Sequence, residues 1–169
     1  CAGRAGAWPV YVARGTGVGS GMGGALFAAF HVGHRARAEW AGAPRLTHAA
    51  EVARVAAPLF AGARVERLLV LICDTQHRLR RHVFVAEGAV DRVAVPVREI
   101  LNTVLRHDGR SFAVVHNHPS GDPHPSPDDR RATTLLHAAA TTVGLRFLDH
   151  IVLAGEHWSR AAPLDDAPY

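Results

Sequence analysis

Residues 111–129 read SFAVVHNHPSGDPHPSPDD and contain the pattern from which the fold class follows. An apolar run at residues 112–115 ends in His116-Asn117-His118, and a loop rich in Pro, Gly and Ser comes next. A short apolar run bounded by turn residues is typical of a buried strand. Because side chains alternate between the two faces of a strand, His116 and His118 are predicted to point the same way.

A carboxylate follows the two histidines along the chain, close enough in sequence to reach them. Asp129 lies eleven residues after His118, which lets the loop fold back and present the carboxylate to both imidazoles. Two His and one carboxylate, with one position left open, are the ligand set of a catalytic zinc. Ser126-x-x-Asp129 is also typical of a helix start, with Ser126 as N-cap and Pro127 in the first helical position. Both interpretations can hold together, because the helix start would fix the aspartate.

The order of these residues resembles a known signature. Two histidines, a serine and an aspartate stand in the spacing of the JAMM motif of MPN-type zinc metalloproteases: His116-x-His118, seven residues, Ser126, two residues and Asp129. The longer string HNHPSGDPHPS, with Leu148-Asp149-His150-Ile151 downstream, resembles the bacterial RadC family, historically called DNA repair proteins. The resemblance extends from about Thr47 to the C-terminus. It implies an α/β MPN (JAB/JAMM)-like layered domain with a central mixed β-sheet flanked by helices.

The resemblance also implies a function and a cofactor. The family hydrolyses peptide or isopeptide bonds with one zinc ion per chain, here on His116, His118 and Asp129. Zinc lowers the pKa of a bound water from 15.7 to about 7, and a general base takes the proton. In the family this base is a Glu just ahead of a core strand, and Glu66 holds that place in the chain.

Other polar residues have weaker assignments. The resemblance implies that Ser126 stabilises the oxyanion, and a hydroxyl that caps a helix only accepts, so its O–H would remain available. Asp149 and His150 either form a pair that supports a ligating imidazole or are polar residues at a strand bend. Asn117 is predicted to point to the opposite face, and His124 to face solvent. Three further acidic residues are rivals for the base: Glu51, Glu87 and Glu99.

The composition is that of an ordinary globular chain. It has 169 residues, 48% hydrophobic and 20% charged, which is enough for one domain with a core. The net charge is +4 and every basic residue is Arg, so nucleic-acid contact is possible but weakly supported. Two cysteines give no disulfide framework, and no apolar run reaches the roughly 20 residues of a membrane span. The cytoplasm is the expected compartment, and the initial Cys1 indicates a fragment.

The chain is predicted to have two parts. Residues 1–46 contain RGTGVGSGMGGALFAAFHVGHR, which resembles a degenerate helix-hairpin-helix followed by a linker at Pro44 to Leu46. Residues 47–169 form the metal-binding domain. Within it the apolar patterns predict, in order, a helix capped by Thr47, strands at residues 68–73 and 83–85, a helix opened by Pro96, the strand before His116, a helix after Asp129 and a last strand at residues 147–153.

Two other functions are possible. One is a DNA-associated repair or recombination module, in which the metal site is structural or vestigial. A fourth protein ligand would favour that alternative, whereas an open position beside Glu66 favours the hydrolase. The other is a metal-dependent nuclease, which fits a one-metal ligand set poorly because phosphodiester cleavage often uses paired ions.

Overall fold

The computed structural model of the chain describes residues 42–88 and 95–162. Most of the predicted helix-hairpin-helix segment lies outside these residues, so the division at residue 46 stays a prediction. The described elements are α1 (Ala49–Ala56), a 3₁₀ turn (Ala57–Phe60), β1 (Arg67–Cys73), β2 (Leu79–Glu87), α2 (Val97–Arg106), β3 (Ser111–Asn117), α3 (Pro127–Thr142), β4 (Arg146–Ala154) and β5 (His157–Arg160).

The five strands form one mixed sheet in the order β2-β1-β3-β4-β5. Strand β1 is antiparallel to both β2 and β3, β3 is parallel to β4, and β4 is antiparallel to β5. The parallel pair β3 and β4 is joined by α3, because parallel strands need a crossover connection. The predicted α/β class with a central mixed sheet flanked by helices is therefore confirmed.

Both faces of the sheet are covered, which explains the continuous apolar runs of the central strands. Alternate residues of β3 belong to different cores: Ala113 and Val115 pack with α1, whereas Phe112 and Val114 pack with α2 and α3. His116 continues the second series and so faces the α2 and α3 side of the sheet. All seven residues of β3 are buried, which gives the strand a fixed position.

Several predicted boundaries differ from the structure. Residues 44–46 were expected to be a linker, but the side chain of Leu46 is fully buried and its N–H donates to the His77 carbonyl at 2.8 Å. The N-cap of α1 is His48 instead of Thr47. The N–H and the hydroxyl of Thr47 both donate to the Glu51 carboxylate. Strand β5 was not predicted at all. Among the described residues, no helix is long and apolar enough to span a membrane.

Gly109, in the turn after α2, provides a test of the packing between α2 and β1. A Cβ at this position would lie 2.6 Å from Ile72 Cγ2 and 2.7 Å from Val104 Cγ1, so Gly109→Ala forces core atoms apart. We expect the free energy of unfolding to fall by about 1–3 kcal/mol, as for other overpacked cores. Gly42→Ala is the matched control, because a Cβ there meets nothing within 4 Å. Equal urea midpoints for the two variants would contradict the close approach.

Candidate metal centre

Two imidazoles meet at the end of β3. His116 is the next-to-last residue of the strand and pairs with Leu68 of β1 and Val152 of β4, so strands on both sides hold its backbone. His118 follows the strand, and its N–H donates to the Leu153 carbonyl at 2.7 Å. The Nε2 atoms of His116 and His118 are 3.0 Å apart. The predicted common direction of the two side chains is therefore what the structure has.

A carboxylate reaches the imidazoles from the first turn of α3. Ser126 caps this helix: its Oγ accepts from the Asp129 N–H at 3.1 Å, and its own N–H donates to Asp129 Oδ2 at 2.7 Å. Asp129 Oδ1 lies 3.3 Å from His116 Nε2, and Oδ2 lies 3.7 Å from His118 Nε2. The start of α3 thus holds the Asp129 carboxylate beside both histidines. A helix cap and a candidate metal ligand can therefore be the same residue, as expected from the sequence.

Ser126 makes a further hydrogen bond to the aspartate. Its hydroxyl also donates to Asp129 Oδ2 at 2.7 Å. A serine hydroxyl has one hydrogen, so this bond occupies the hydrogen that was expected to remain available for an oxyanion. In this conformation Ser126 orients Asp129.

A second carboxylate lies near the same nitrogen of His116. Glu66 lies immediately before β1, and its Oε1 is 3.9 Å from His116 Nε2. Glu66, His116 and His118 each present one nitrogen or oxygen atom within 4.8 Å of the others, an arrangement that could hold a metal ion. Glu66 and Asp129 therefore both have carboxylate oxygens close to the imidazole pair.

Asn117, between the two histidines, fixes the backbone on either side of Glu66. Its Oδ1 accepts from the Arg67 N–H at 2.8 Å, and its Nδ2 donates to the Val65 carbonyl at 3.0 Å. The prediction from alternation placed Asn117 on the opposite face as a structural residue. From that face, its amide bonds the backbone of Val65 and Arg67, the two neighbours of the predicted general base Glu66.

The electrostatics of the site follow from burial. Burial lowers the pKa of His116 to about 4 and that of His150 to about 3, so both imidazoles are neutral at pH 7. The hydrogen bond with Asp129 raises the pKa of His118. Burial alone would raise the pKa of Asp129, but hydrogen bonds from His118 and Ser126 hold it well below its usual range. Imidazole nitrogens with carboxylate oxygens form a donor set suited to a cation such as zinc.

The other predicted residues take different positions. His150 contacts a candidate ligand, because its Nε2 is 2.8 Å from His116 Nδ1. Asp149 does not share this contact: its carboxylate accepts from the His150 backbone N–H and pairs with Arg160 of β5 at 2.8 Å. His150 thus contacts a candidate ligand directly, and the Asp149 carboxylate is bonded to the backbone of His150. His124 is exposed and bonds Asp122, as expected for a solvent-facing residue.

The three rival acidic residues make other contacts or lie elsewhere. Glu51 accepts from Thr47 at the start of α1, and Glu99 is exposed on α2. Glu87 pairs with Arg67 at 3.3 Å. Glu87 is nevertheless close to the site, because Glu87 and Arg67 line a cavity of about 300 Å³. Glu66, His116 and Asp129 line the same cavity. Apolar residues form much of the remaining wall: Leu68, Val85, Ala86, Val95 and Pro96.

Comparisons with known proteins agree with this geometry. Residues 46–163 match a family described as RadC-like JAB domain. The chain is 37% identical over 94 residues to a UPF0758 protein of Geobacter sulfurreducens, which covers 56% of this chain and 41% of the relative. It is 43% identical over 93 residues to a UPF0758 protein of Vibrio cholerae serotype O1, covering 55% and 59%. The matched stretch thus spans 41% of the length of the first relative and 59% of the second.

The burial of two neutral imidazoles predicts a stability that depends on pH. Without metal, the free energy of unfolding should fall as the pH is lowered from 6.5 to about 5. In this range the unfolded chain protonates His116 and His150 near their ordinary pKa of 6.5, whereas the folded chain does not. His118 acts in the opposite direction because its folded pKa is raised. The net loss should be on the order of 2 kcal/mol.

Urea unfolding of chelator-treated protein at the two pH values measures this difference. His150→Gln removes one of the two titrating groups, so its stability should change less between the same pH values. A parent protein that is equally stable at both would contradict the prediction.

Proposed function

This chain belongs to the RadC-like JAB domain family, and we propose that it is a zinc-dependent hydrolase of peptide or isopeptide bonds. The observation that carries the proposal is the convergence of two imidazoles and two carboxylates beside a cavity of about 300 Å³, which Glu66, His116 and Asp129 line. A cavity with a reactive polar end and largely apolar walls is the usual form of a substrate site.

His116, His118 and Asp129 would hold the zinc ion. Ligand atoms around a tetrahedral zinc lie about 3.3 Å apart, given metal–ligand distances of about 2.0–2.1 Å. The two Nε2 atoms are 3.0 Å apart, His116 Nε2 is 3.3 Å from Asp129 Oδ1, and His118 Nε2 is 3.7 Å from the other carboxylate oxygen, Oδ2. These distances are close to that value, with each histidine nearest a different oxygen of Asp129. Bound there, zinc would polarise the scissile carbonyl and lower the pKa of water to about 7.

Glu66 would move the proton. Its Oε1 lies 3.9 Å from His116 Nε2, so the carboxylate would stand beside a water bound at the centre. The carboxylate accepts a proton as the water oxygen attacks the carbonyl carbon, and returns it to the nitrogen as the C–N bond breaks. The Asn117 bonds to both neighbours of Glu66 fix the backbone that presents this carboxylate to the cavity.

Zinc content tests the ligand assignment. Purified protein should carry about one zinc per chain, and His118→Ala should lose most of it, because two protein ligands hold the ion far less tightly than three. His124→Ala is the control, since this exposed loop histidine bonds only its neighbour Asp122 among the contacts described. Elemental analysis after dialysis measures both variants. A His118→Ala protein as zinc-loaded as the parent would refute the ligand set.

Glu66→Gln and Asp129→Asn should fail in different ways. Glu66→Gln keeps the size of the side chain but cannot accept a proton, so zinc should remain while cleavage of a peptide or isopeptide substrate falls by roughly 10²–10⁴. Asp129→Asn replaces an anionic ligand by a neutral one and should leave the protein poor in zinc. Zinc loss in Glu66→Gln would instead indicate a fourth protein ligand, and hence the structural metal site of a DNA-associated module.

A further inference from the structure

His150 is a buried imidazole that the proposed reaction does not use. It lies in β4, is 1% exposed, and has a polar neighbour at each ring nitrogen. Its Nε2 is 2.8 Å from His116 Nδ1, and its Nδ1 is 2.8 Å from Thr133 Oγ1 of α3. A buried imidazole needs a hydrogen-bond partner at each nitrogen, a donor for a lone pair and an acceptor for an N–H. The row of hydrogen bonds from His116 through His150 to Thr133 therefore shows which ring nitrogens carry hydrogen.

The carbonyl at the end of the row fixes the position of each hydrogen. Thr133 Oγ1 lies 2.7 Å from the Asp129 carbonyl oxygen, which can only accept, so the hydroxyl donates its single hydrogen there. Thr133 therefore accepts from His150 Nδ1–H. An imidazole with its single hydrogen on Nδ1 has a lone pair on Nε2, so His150 Nε2 accepts from His116 Nδ1–H at 2.8 Å. His116 is then left with a lone pair on Nε2, the atom that faces His118 and Asp129.

The row of hydrogen bonds joins two of the residues at the metal centre. It begins at the main chain of Asp129, passes through Thr133 and His150, and ends on the ring of His116. Three elements are connected in this way: α3, β4 and β3. The same aspartate contacts the far side of the His116 ring through its carboxylate, at 3.3 Å. The backbone of one ligand thus determines the tautomer of another.

We propose that Thr133 and His150 are positioning residues that hold His116 in the Nδ1–H tautomer and thereby set the affinity of the site for zinc. The proposal rests on the proposed function in one respect, since it takes His116 as a ligand. A neutral histidine can carry its hydrogen on either nitrogen, and the Nε2–H form directs that hydrogen to the place of the metal. Partners of this kind typically change metal affinity by 10–100-fold.

Helix α3 contains a matched pair of residues for the test. Thr133 and Thr134 each donate to the carbonyl four residues earlier, but only Thr133 also contacts an imidazole. Thr133→Val removes the acceptor of His150 Nδ1–H at constant side-chain volume. His150 can then shift its hydrogen to Nε2 and donate to His116 Nδ1, which leaves His116 as the Nε2–H form. Zinc affinity, measured by competition with a chromophoric chelator, should fall 10–100-fold in Thr133→Val and stay within about twofold in Thr134→Val.

Substitution of His150 separates a hydrogen-bond role from a packing role. His150→Gln keeps an oxygen that can accept from His116 Nδ1–H, whereas His150→Leu fills the space without an acceptor. We expect zinc affinity to decrease in the order parent, Gln, Leu. Equal affinities for the Gln and Leu variants would overturn the proposal, as would equal affinities for the two threonine variants.

The tautomer can also be observed directly in the unsubstituted protein. Two-bond ¹H–¹⁵N spectra of the histidine rings, recorded on zinc-free protein at neutral pH, should show His116 protonated at Nδ1 and unprotonated at Nε2. The opposite pattern would overturn the proposal even if every variant failed to fold. Failure of the proposed function is distinguishable, because it appears as full zinc loading in His118→Ala, whatever the tautomer of His116.

Discussion

The hydrogen bonds at the start of α3 are the contacts on which the site depends. The Ser126 hydroxyl oxygen accepts a hydrogen bond from the Asp129 N–H. The Asp129 carboxylate accepts hydrogen bonds from both the N–H and the hydroxyl of Ser126. An N-cap of this kind contributes about 0.5–2 kcal/mol to stability, so the carboxylate is held as firmly as the helix itself. The same bonds lower its pKa, and it therefore stands beside the imidazoles as an anion.

The sheet supplies the second half of the arrangement. Strand β3 lies between β1 and β4, so the pairing of His116 with Leu68 places the start of β1 next to the imidazoles. Asn117 then bonds the backbone at Val65 and Arg67, which leaves Glu66 between two fixed points. Strand pairing thus sets the approximate position of the carboxylate, and a side-chain amide refines it.

The sequence predicted the parts of the site that depend on local geometry. The i, i+2 spacing of His116 and His118 and the Ser126-x-x-Asp129 cap required only the periodicity of a strand and the start of a helix. Contacts between distant residues had no such signal, as for Asn117 with Arg67, fifty residues apart, and for Thr133 with His150, seventeen apart. Strand β5 was missed because its four residues, His157–Arg160, form no apolar run. Leu46 was missed because a single apolar residue after a proline resembles a linker.

The spacing of the site residues along the chain also bears on the order in which the site assembles during folding. His116, His118 and Asp129 fall within fourteen consecutive residues, so β3 and the start of α3 bring them together through a short loop. Glu66 arrives from fifty residues upstream and requires the pairing of β1 with β3. Loops of that length close more slowly and at greater entropic cost. We therefore expect a folding chain to bring the two histidines and the aspartate together before Glu66 joins them. A metal ion captured at that stage would stabilise the end of β3 before β1 pairs with it.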